Sequence, residues 1–474
     1  MLFNSFSFVL FLPIVFLIYW SLPTTRARNV LIILASYIFY GWWDPRFLTL
    51  IIISSLADYG IGLLLLNQNS TNKRRILLLC SLFVNLGLLG FFKYYNFFID
   101  SLVEGLLLFD IEANFKTLSI ILPVGISFYT FQTLSYTIDV YRKKISPTRD
   151  LFSFLAYVSF FPQLVAGPIE RAKNLLPQFQ REQKFSYALA ISGCKLILWG
   201  FFKKMVIADN LSPAVEAVFS NYQTLGSAEL ILGVVFFAFQ IYCDFSGYSD
   251  IAIGIARLFN ITLSKNFNFP YFSRSIGEFW RRWHISLNTW FRDYLYIPLG
   301  GSEGGKPKVI RNVFIVFVVS GLWHGANLTF VFWGLLNALF FIPSIILGSN
   351  RKHLDTVAEN SVVASFQEII QMISTFGLIA ITWIFFRSET WSDGWQYTSR
   401  LFQFAPSANL FGLLIYLPYV GLLVIIEWLG RHKDCAIDHK IDNLWLGRIY
   451  YAIIAIFVIL FASYDEQAFI YFQF

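Results

Sequence analysis

Apolar residues fill long stretches of this chain, and short polar segments separate them. A helix needs about 20 largely apolar residues to cross a membrane, and stretches of that order recur along the sequence. The candidates are residues 8–23, 30–43, 47–66, 76–92, 118–140, 186–202, 230–256, 369–386, 401–426 and 449–464. Together with the segments around His324, they predict roughly ten or more membrane elements and an all-α polytopic membrane protein.

Composition supports the same interpretation. Of the 474 residues, 57% are hydrophobic and 14% are charged, which is more apolar surface than one soluble core of ordinary composition buries. We therefore expect the lipid bilayer to surround the chain. The start, MLFNSFSF, lacks a basic region and a cleavage site, so we expect the first stretch to remain as a span. The cysteines are scattered without a CxxC pair, which predicts no disulfide framework and no metal site.

Basic residues in the short loops indicate the orientation. Lys and Arg mark the cytoplasmic side of membrane proteins, so the net charge of +7 does not imply a nucleic-acid partner. The clusters are Arg26 with Arg28, residues 73–75 and residues 142–149. They place the N-terminus outside, provided that the aromatic segment 94–110 does not cross completely.

We expect one integral-membrane domain over residues 1–474. Its parts are the N-terminal helices (1–260), a polar stretch (265–311), an uncharged run around His324 (312–350) and the C-terminal helices (362–474). The polar stretch carries tryptophans beside arginines, which predicts helices at the membrane surface or partly sunk into the protein from the cytoplasmic side.

The stretch GLWHGANLTFVFWG places His324 inside the uncharged run. Residues 312–323 cover only about 18 Å as a helix, against a hydrocarbon core of about 30 Å. This length predicts that His324 ends a half-helix at buried depth. The alternative is two ordinary spans joined by a turn at residues 325–327.

Burial would keep the imidazole of His324 neutral, because a low dielectric disfavours the charged form. A neutral imidazole can accept a proton. A structural histidine bonded between helices is the alternative, but ionisable residues within membranes are functional hypotheses by default.

The stretch GEFWRRWHISLNTWFRDYLYIPLGG holds a second histidine, His284. If the stretch is one helix, His284, Asn288 and Arg292 share a face, and Arg281 lies one turn before them. An interfacial helix whose polar side meets lipid head groups is an equal alternative.

Several carboxylates lie within apolar stretches, and Asp244 and Asp250 in YCDFSGYSD are the main examples. Such groups can form an ion or proton path, which leaves a proton-coupled transporter using Asp244, Asp250 and His324 as an alternative. We favour structural carboxylates that pair with buried arginines or cap broken helices.

Motifs along the whole chain resemble the membrane-bound O-acyltransferase (MBOAT) family, in particular its bacterial alginate O-acetyltransferase (AlgI-like) branch. They are YIFYGWWDPRFL (38–49), PVGISFYTFQTLSYTIDVYR (123–142), FFPQLVAGPIER (160–171), FQIYCDFSGYSDIAIG (239–254), FWRRWHISLNTWFRDYLYIPLGG (279–301), WHGANLTFVFWG (323–334) and FIYFQF (469–474). The resemblance implies a ring of tilted helices, with re-entrant and interfacial helices, around a central tunnel.

The resemblance also implies acyl transfer from a thioester to a hydroxyl, with the family's essential histidine at His324 and its upstream histidine at His284. Trp323, Asn288 and Asn327 would support the site. Donors for the charge on the carbonyl oxygen would be His284, Asn288 or backbone N–H groups. Arg281, Arg282 and Arg292 would receive the phosphates of coenzyme A or an acidic acyl-carrier protein. No bound cofactor and no metal are expected.

For this branch, the resemblance implies a bacterial cell (inner) membrane enzyme that passes acetyl groups to a periplasmic or extracellular partner of the SGNH type. The partner then acetylates an exopolysaccharide. Three alternatives remain open: a DltB-like D-alanyl transferase of the teichoic-acid type, which takes its acyl group from a carrier protein, the transporter, and a scaffold that anchors a glycan synthase.

Overall fold

The structure is a computed structural model that describes residues 1–111, 117–407, 410–464, 467, 469 and 470. Across these ranges all regular structure is helical, so the expected all-α membrane class is confirmed. Seven helical stretches in this part of the chain are long and apolar enough to cross a membrane: Pro45–Leu66, Thr71–Leu107, Ser227–Leu258, Leu328–Ile346, Phe366–Arg387, Leu410–Gly430 and Leu444–Phe461. The apolar helix Phe6–Ser21 is shorter.

The chain divides into two compact units, and the first contains Met1–Ala190 and Ile255–Ser264. Its helices are α1 (Phe6–Ser21), α2 (Thr25–Gly41), α3 (Leu48–Leu66), α4 (Thr71–Leu89), α5 (Tyr95–Leu107), α6 (Ile126–Tyr141), α7 (Leu151–Ser159), α8 (Phe161–Leu164) and α9 (Ala172–Gln180). Asp58 of α3 is buried and accepts hydrogen bonds from Ser81 (2.5 Å) and Asn85 (2.9 Å) of α4. This carboxylate therefore links two helices.

The second unit contains Ile191–Gly254 and Lys265–Phe474. The helices α10 (Tyr187–Phe201) and α12 (Ser227–Leu258) have residues in both units. The remaining helices are α11 (Asp209–Ser220), α13 (Ile276–Arg282), α14 (Ile285–Phe291), α15 (Lys306–His324), α16 (Leu328–Ile346), α17 (Phe366–Arg387), α18 (Trp391–Leu401), α19 (Leu410–Leu414), α20 (Leu417–Gly430) and α21 (Leu444–Phe461).

Two predicted spans differ from the helices observed. Residues 118–140 are helical only from Ile126, because Pro123 lacks an N–H group and disfavours helix for the residue before it. The span predicted at residues 401–426 begins later than expected: α18 ends at Leu401, and the candidate span covers Leu410–Gly430.

The helix that ends at His324 is longer than the predicted segment 312–323. Helix α15 begins at Lys306 and contains 19 residues, which is about 28 Å of helix. The uncharged run in the sequence is shorter than the helix, because the first two turns of α15 carry Lys306, Lys308 and Arg311. The turn of the alternative is present at residues 325–327, where α16 follows with Asn327 as its N-cap. Of the two helices, α16 is one of the seven candidate spans and α15 is not.

Helices α15 and α16 pack closely along two glycines. A Cβ atom on Gly321 would overlap the carbonyl oxygen of Phe330, and a Cβ atom on Gly334 would overlap that of Phe317. Small residues allow helix backbones in membranes to approach in this way. The close packing places His324, at the end of α15, against the first turns of α16.

The aromatic segment 94–110 is part of a longer helix. Helix α4 continues through the π-helical turn Gly90–Tyr94 into α5 and gives a 37-residue stretch, Thr71–Leu107. Its length of about 55 Å exceeds the hydrocarbon core of about 30 Å. The orientation of the N-terminus stays a prediction.

Candidate active site

The chain breaks between α13 and α14 at His284. This residue has φ 43° and ψ 53°, in the left-handed region, so His284 and Arg281 do not share one helix face and that prediction is wrong. A neighbouring loop replaces the missing helical hydrogen bonds: Ile285 N donates to Asn266 O (2.9 Å), and Asn268 N donates to Arg282 O (2.9 Å). The break turns the imidazole of His284 into the interior of the second unit.

The interior position differs from that of a simple interfacial helix. Trp280, Trp283 and His284 are all buried, and His284 is only 1% exposed. Its ring lies edge-on to Phe245, with 4.7 Å between the centroids. This burial lowers the pKa of His284 to about 3, so the imidazole is neutral at physiological pH.

Asn266 determines the tautomer of His284. Its Oδ1 atom accepts hydrogen bonds from Ser286 N (3.3 Å) and Ser286 Oγ (2.9 Å), which orients the amide. Nδ1 of His284 lies 3.1 Å from the same oxygen and therefore carries the proton. The Nε2 atom of the neutral ring is then an acceptor.

His324 is the last residue of α15 and is 4% exposed. Aromatic rings surround it edge-on at centroid distances of 4.9 Å (Trp323), 5.0 Å (Trp333) and 5.5 Å (Phe386). The two imidazole centroids lie 6.4 Å apart. The structure therefore brings together the two histidines singled out in the sequence, although they are 40 positions apart.

A cavity of about 490 Å³ lies beside this pair. Its wall combines apolar side chains, mainly from α15 and α16, with polar and charged side chains from α13, α14 and the segments that follow α14 and α16, and neither histidine is among its described wall residues. Trp280 lines the cavity and packs against Trp333 at 5.8 Å, and Trp333 packs against His324. Two indole rings thus connect the cavity wall to His324.

The arginines expected to bind the donor occupy different places. Arg281 and Arg292 line the cavity, together with Arg351, which the sequence did not single out. Arg282 is buried: its Nη2 atom lies 2.8 Å from Glu278 Oε1 and donates to Asp355 O. A guanidinium held in this way stabilises the fold and does not line the cavity.

The expected supporting residues also differ in position. Trp323 is buried and lies 5.9 Å from His284 and 4.9 Å from His324 between ring centroids. Asn288 lines the cavity, and its Nδ2 atom donates to Trp280 O (2.7 Å) and Trp283 O (2.6 Å). Asn327 caps α16 and donates to Glu389 O, which is a local structural contact.

Asp244 and Asp250 have lysine partners rather than arginines. Nζ of Lys204 lies 2.6 Å from Asp244 and 2.8 Å from Asp209, and Nζ of Lys203 lies 2.8 Å from Asp250. Both lysines lie in the π-helical segment Phe202–Ala208, which continues α10. We name these five residues the ionic cluster. These ion pairs are consistent with the interpretation that the two carboxylates stabilise the fold.

Comparison with known proteins identifies the family. The profile of the membrane-bound O-acyltransferase family matches residues 142–386, more than half of the chain. The probable alginate O-acetylase AlgI of Pseudomonas aeruginosa is 41% identical over 434 residues, which is 90% of this chain and 80% of that protein. This chain belongs to the MBOAT family. It is therefore a multi-pass membrane acyltransferase.

Two further relatives show which members of the MBOAT family are more similar. The peptidoglycan O-acetyltransferase of Helicobacter pylori is 36% identical and covers 82% of this chain and 77% of its own length. The teichoic acid D-alanyltransferase of Bacillus subtilis is 29% identical and covers 46% of this chain and 57% of its own. The O-acetylating relatives thus match more of the chain at higher identity.

Sequence reasoning missed several residues of this site in the MBOAT chain. Asn266 lies in a loop without helical periodicity, and only the pair Asn266 and Asn268 between aromatic residues marks it. Trp280 was indistinguishable from the other tryptophans of the polar stretch 265–311, and Trp333 and Phe386 from other aromatic residues in apolar stretches. The terminal motif FIYFQF lies outside the described residues except for Phe469 and Ile470.

Proposed function

We propose that this protein moves an acetyl group from a cytoplasmic thioester, acetyl-coenzyme A, across the membrane toward O-acetylation of a cell-envelope polysaccharide or exopolysaccharide. The observation that carries the proposal is the buried pair of His284 and His324, 6.4 Å apart, beside a cavity with arginines in its wall. The similarity to an alginate O-acetylase and a peptidoglycan O-acetyltransferase supports the acetyl group and the glycan acceptor.

In the proposed reaction, His324 is the general base. It takes the proton of the acceptor hydroxyl while the hydroxyl oxygen attacks the thioester carbonyl carbon. The tetrahedral intermediate collapses, the C–S bond breaks, and the thiolate receives that proton from the imidazolium. Atoms and protons balance, and no metal takes part. The proposed role of His284 is different: its Nε2 atom accepts a hydrogen bond from a hydroxyl. In this tautomer Nε2 cannot donate a hydrogen bond.

The cavity is proposed as the site of the pantetheine arm of the donor. Its apolar walls suit the chain that carries the thioester, and Arg281, Arg292 and Arg351 suit phosphate groups. An acyl-carrier protein carries the same arm, so a carrier donor is the alternative. The proposed partner is a periplasmic or extracellular enzyme of the SGNH type, with the N-terminus of this protein on the same side.

The test uses purified protein in lipid nanodiscs with acetyl-coenzyme A labelled in the acetyl group, with and without a candidate partner. We expect release of free coenzyme A and partner-dependent transfer of label by the wild type but not by His324→Gln. A carrier-bound acetyl donor in parallel separates the two donors. Equal release by the wild type and His324→Gln would overturn the role of His324.

A further inference from the structure

Three tryptophans near the histidine pair bury indole N–H groups in an unusual way. In the part of the chain that the structure describes, Nε1 of Trp280, Trp333 and Trp383 is shielded from solvent and has no hydrogen-bond acceptor. Leaving a buried donor unsatisfied costs about 1–3 kcal/mol per group. Natural proteins seldom keep such groups without a reason.

Two of these indoles lie between the cavity and His324. Trp280 lines the cavity and meets Trp333 edge-on at 5.8 Å, and Trp333 meets His324 edge-on at 5.0 Å. The third, Trp383, stacks on Trp333 at 5.8 Å but is not among the described residues that line the cavity. The three groups are alike in burial and differ in position.

The proposed reaction needs hydrogen-bond donors between the cavity and His324. Attack on the thioester places negative charge on the carbonyl oxygen, and fixed donors in a dry site stabilise that charge. Asn288 already uses its Nδ2 atom on two backbone carbonyls. His284 has an acceptor at Nε2, because its Nδ1 proton faces Asn266.

We propose that the Nε1–H groups of Trp280 and Trp333 bind the carbonyl oxygen of the acyl donor and stabilise its charge in the transition state, which makes both tryptophans catalytic residues. This inference rests on the proposed function. The indole protons stay on nitrogen throughout; only the electron pair of the C=O bond moves to oxygen and back. The two rings meet edge-on at 5.8 Å, so they have to move apart for the carbonyl oxygen to reach both Nε1–H groups.

The test removes each N–H group and keeps an aromatic ring. Trp280→Phe and Trp333→Phe are compared with the matched control Trp383→Phe in the nanodisc assay. We expect kcat to fall about 100-fold in each of the first two variants, with the KM for acetyl-coenzyme A within about twofold, since the contact strengthens as charge develops. Trp383→Phe should keep kcat within about twofold.

Thermal stability separates chemistry from packing. No variant loses a hydrogen bond, and each replaces a buried indole with a smaller ring, so all three melting temperatures should fall by a similar amount. Similar losses of kcat in all three variants, or wild-type kcat in Trp280→Phe and Trp333→Phe, would overturn the inference while His324-dependent activity of the wild type upholds the proposed function. A wild type inert toward both acetyl donors would reject the proposed function and this role together.

Discussion

Two of the buried clusters of titratable side chains in the second unit handle charge in opposite ways. In the ionic cluster, Lys203 and Lys204 each lie within 2.8 Å of a carboxylate. In the histidine pair, His284 is neutral, and aromatic rings rather than carboxylates surround both imidazoles.

This difference indicates which buried group can take part in catalysis. A buried ion pair has to stay paired, because removing one partner leaves an uncompensated charge. A buried neutral imidazole can accept a proton and return it within one reaction. We therefore propose that the ionic cluster serves stability and the histidine pair serves catalysis, with Asp244 and Asp250 in a structural role.

The largest effect should come from His324→Gln. A general base contributes about 10²- to 10⁴-fold to the rate, so kcat should fall by that factor while binding of acetyl-coenzyme A persists. The matched control is His432→Gln, at an exposed histidine of the loop after α20, which should keep wild-type kcat. A wild-type rate in His324→Gln would show that the histidine pair is structural.

Substitutions in the ionic cluster should change the stability of the protein rather than kcat. Lys203→Met leaves Asp250 without its partner and should destabilise the protein by about 3–5 kcal/mol, seen as a lower melting temperature. The double variant Lys203→Met with Asp250→Leu should recover most of that loss, because it also removes the carboxylate that lost its partner. A double variant as unstable as the single variant would contradict a purely structural pair.

Asn266→Ala should reduce kcat about 10-fold, because the hydrogen bond that holds the tautomer of His284 contributes on the order of 1.4 kcal/mol. Asn268→Ala is the matched control in the same loop, since Oδ1 of Asn268 accepts from Lys265 rather than from a histidine. Equal kcat values for the two variants would argue against a defined tautomer of His284.

The arginines of the cavity allow a smaller test. Arg292→Ala should raise the KM for acetyl-coenzyme A about fivefold at low salt and less at high salt, because exposed charges are screened. Arg282→Ala should instead lower the melting temperature, since its guanidinium is buried against Glu278. A larger KM change in Arg282→Ala than in Arg292→Ala would reverse this assignment.

The pH dependence of stability gives a test on a separate scale, the melting temperature. The pKa of His284 lies near 3 in the folded protein and near 6.5 in an unfolded chain, so the unfolded chain binds the extra proton below pH 6.5. This group therefore lowers stability as the pH falls from 6.5 toward 3, by up to about 1.4 kcal/mol per pH unit. The melting temperature of His284→Gln should fall less steeply over that range, and an unchanged slope would indicate a charged His284.

Part of this account was accessible from the sequence. The membrane class followed from apolar stretches, and the family and both histidines followed from motifs such as WRRWH and WHG. Helix ends were less predictable: the charges at Lys306, Lys308 and Arg311 hid the first turns of α15. The partners of the site, Asn266, Trp280 and Trp333, come from separate segments, and only the tertiary fold brings them together.

The most direct test of the contrast between the two clusters is kcat per folded molecule, measured side by side in nanodiscs for His324→Gln and for Lys203→Met with Asp250→Leu. The account predicts a folded but inactive His324→Gln protein and a double variant whose folded molecules turn over within about threefold of the wild type. An active His324→Gln protein beside a folded but inactive double variant would contradict it, because the chemistry would then belong to the ionic cluster.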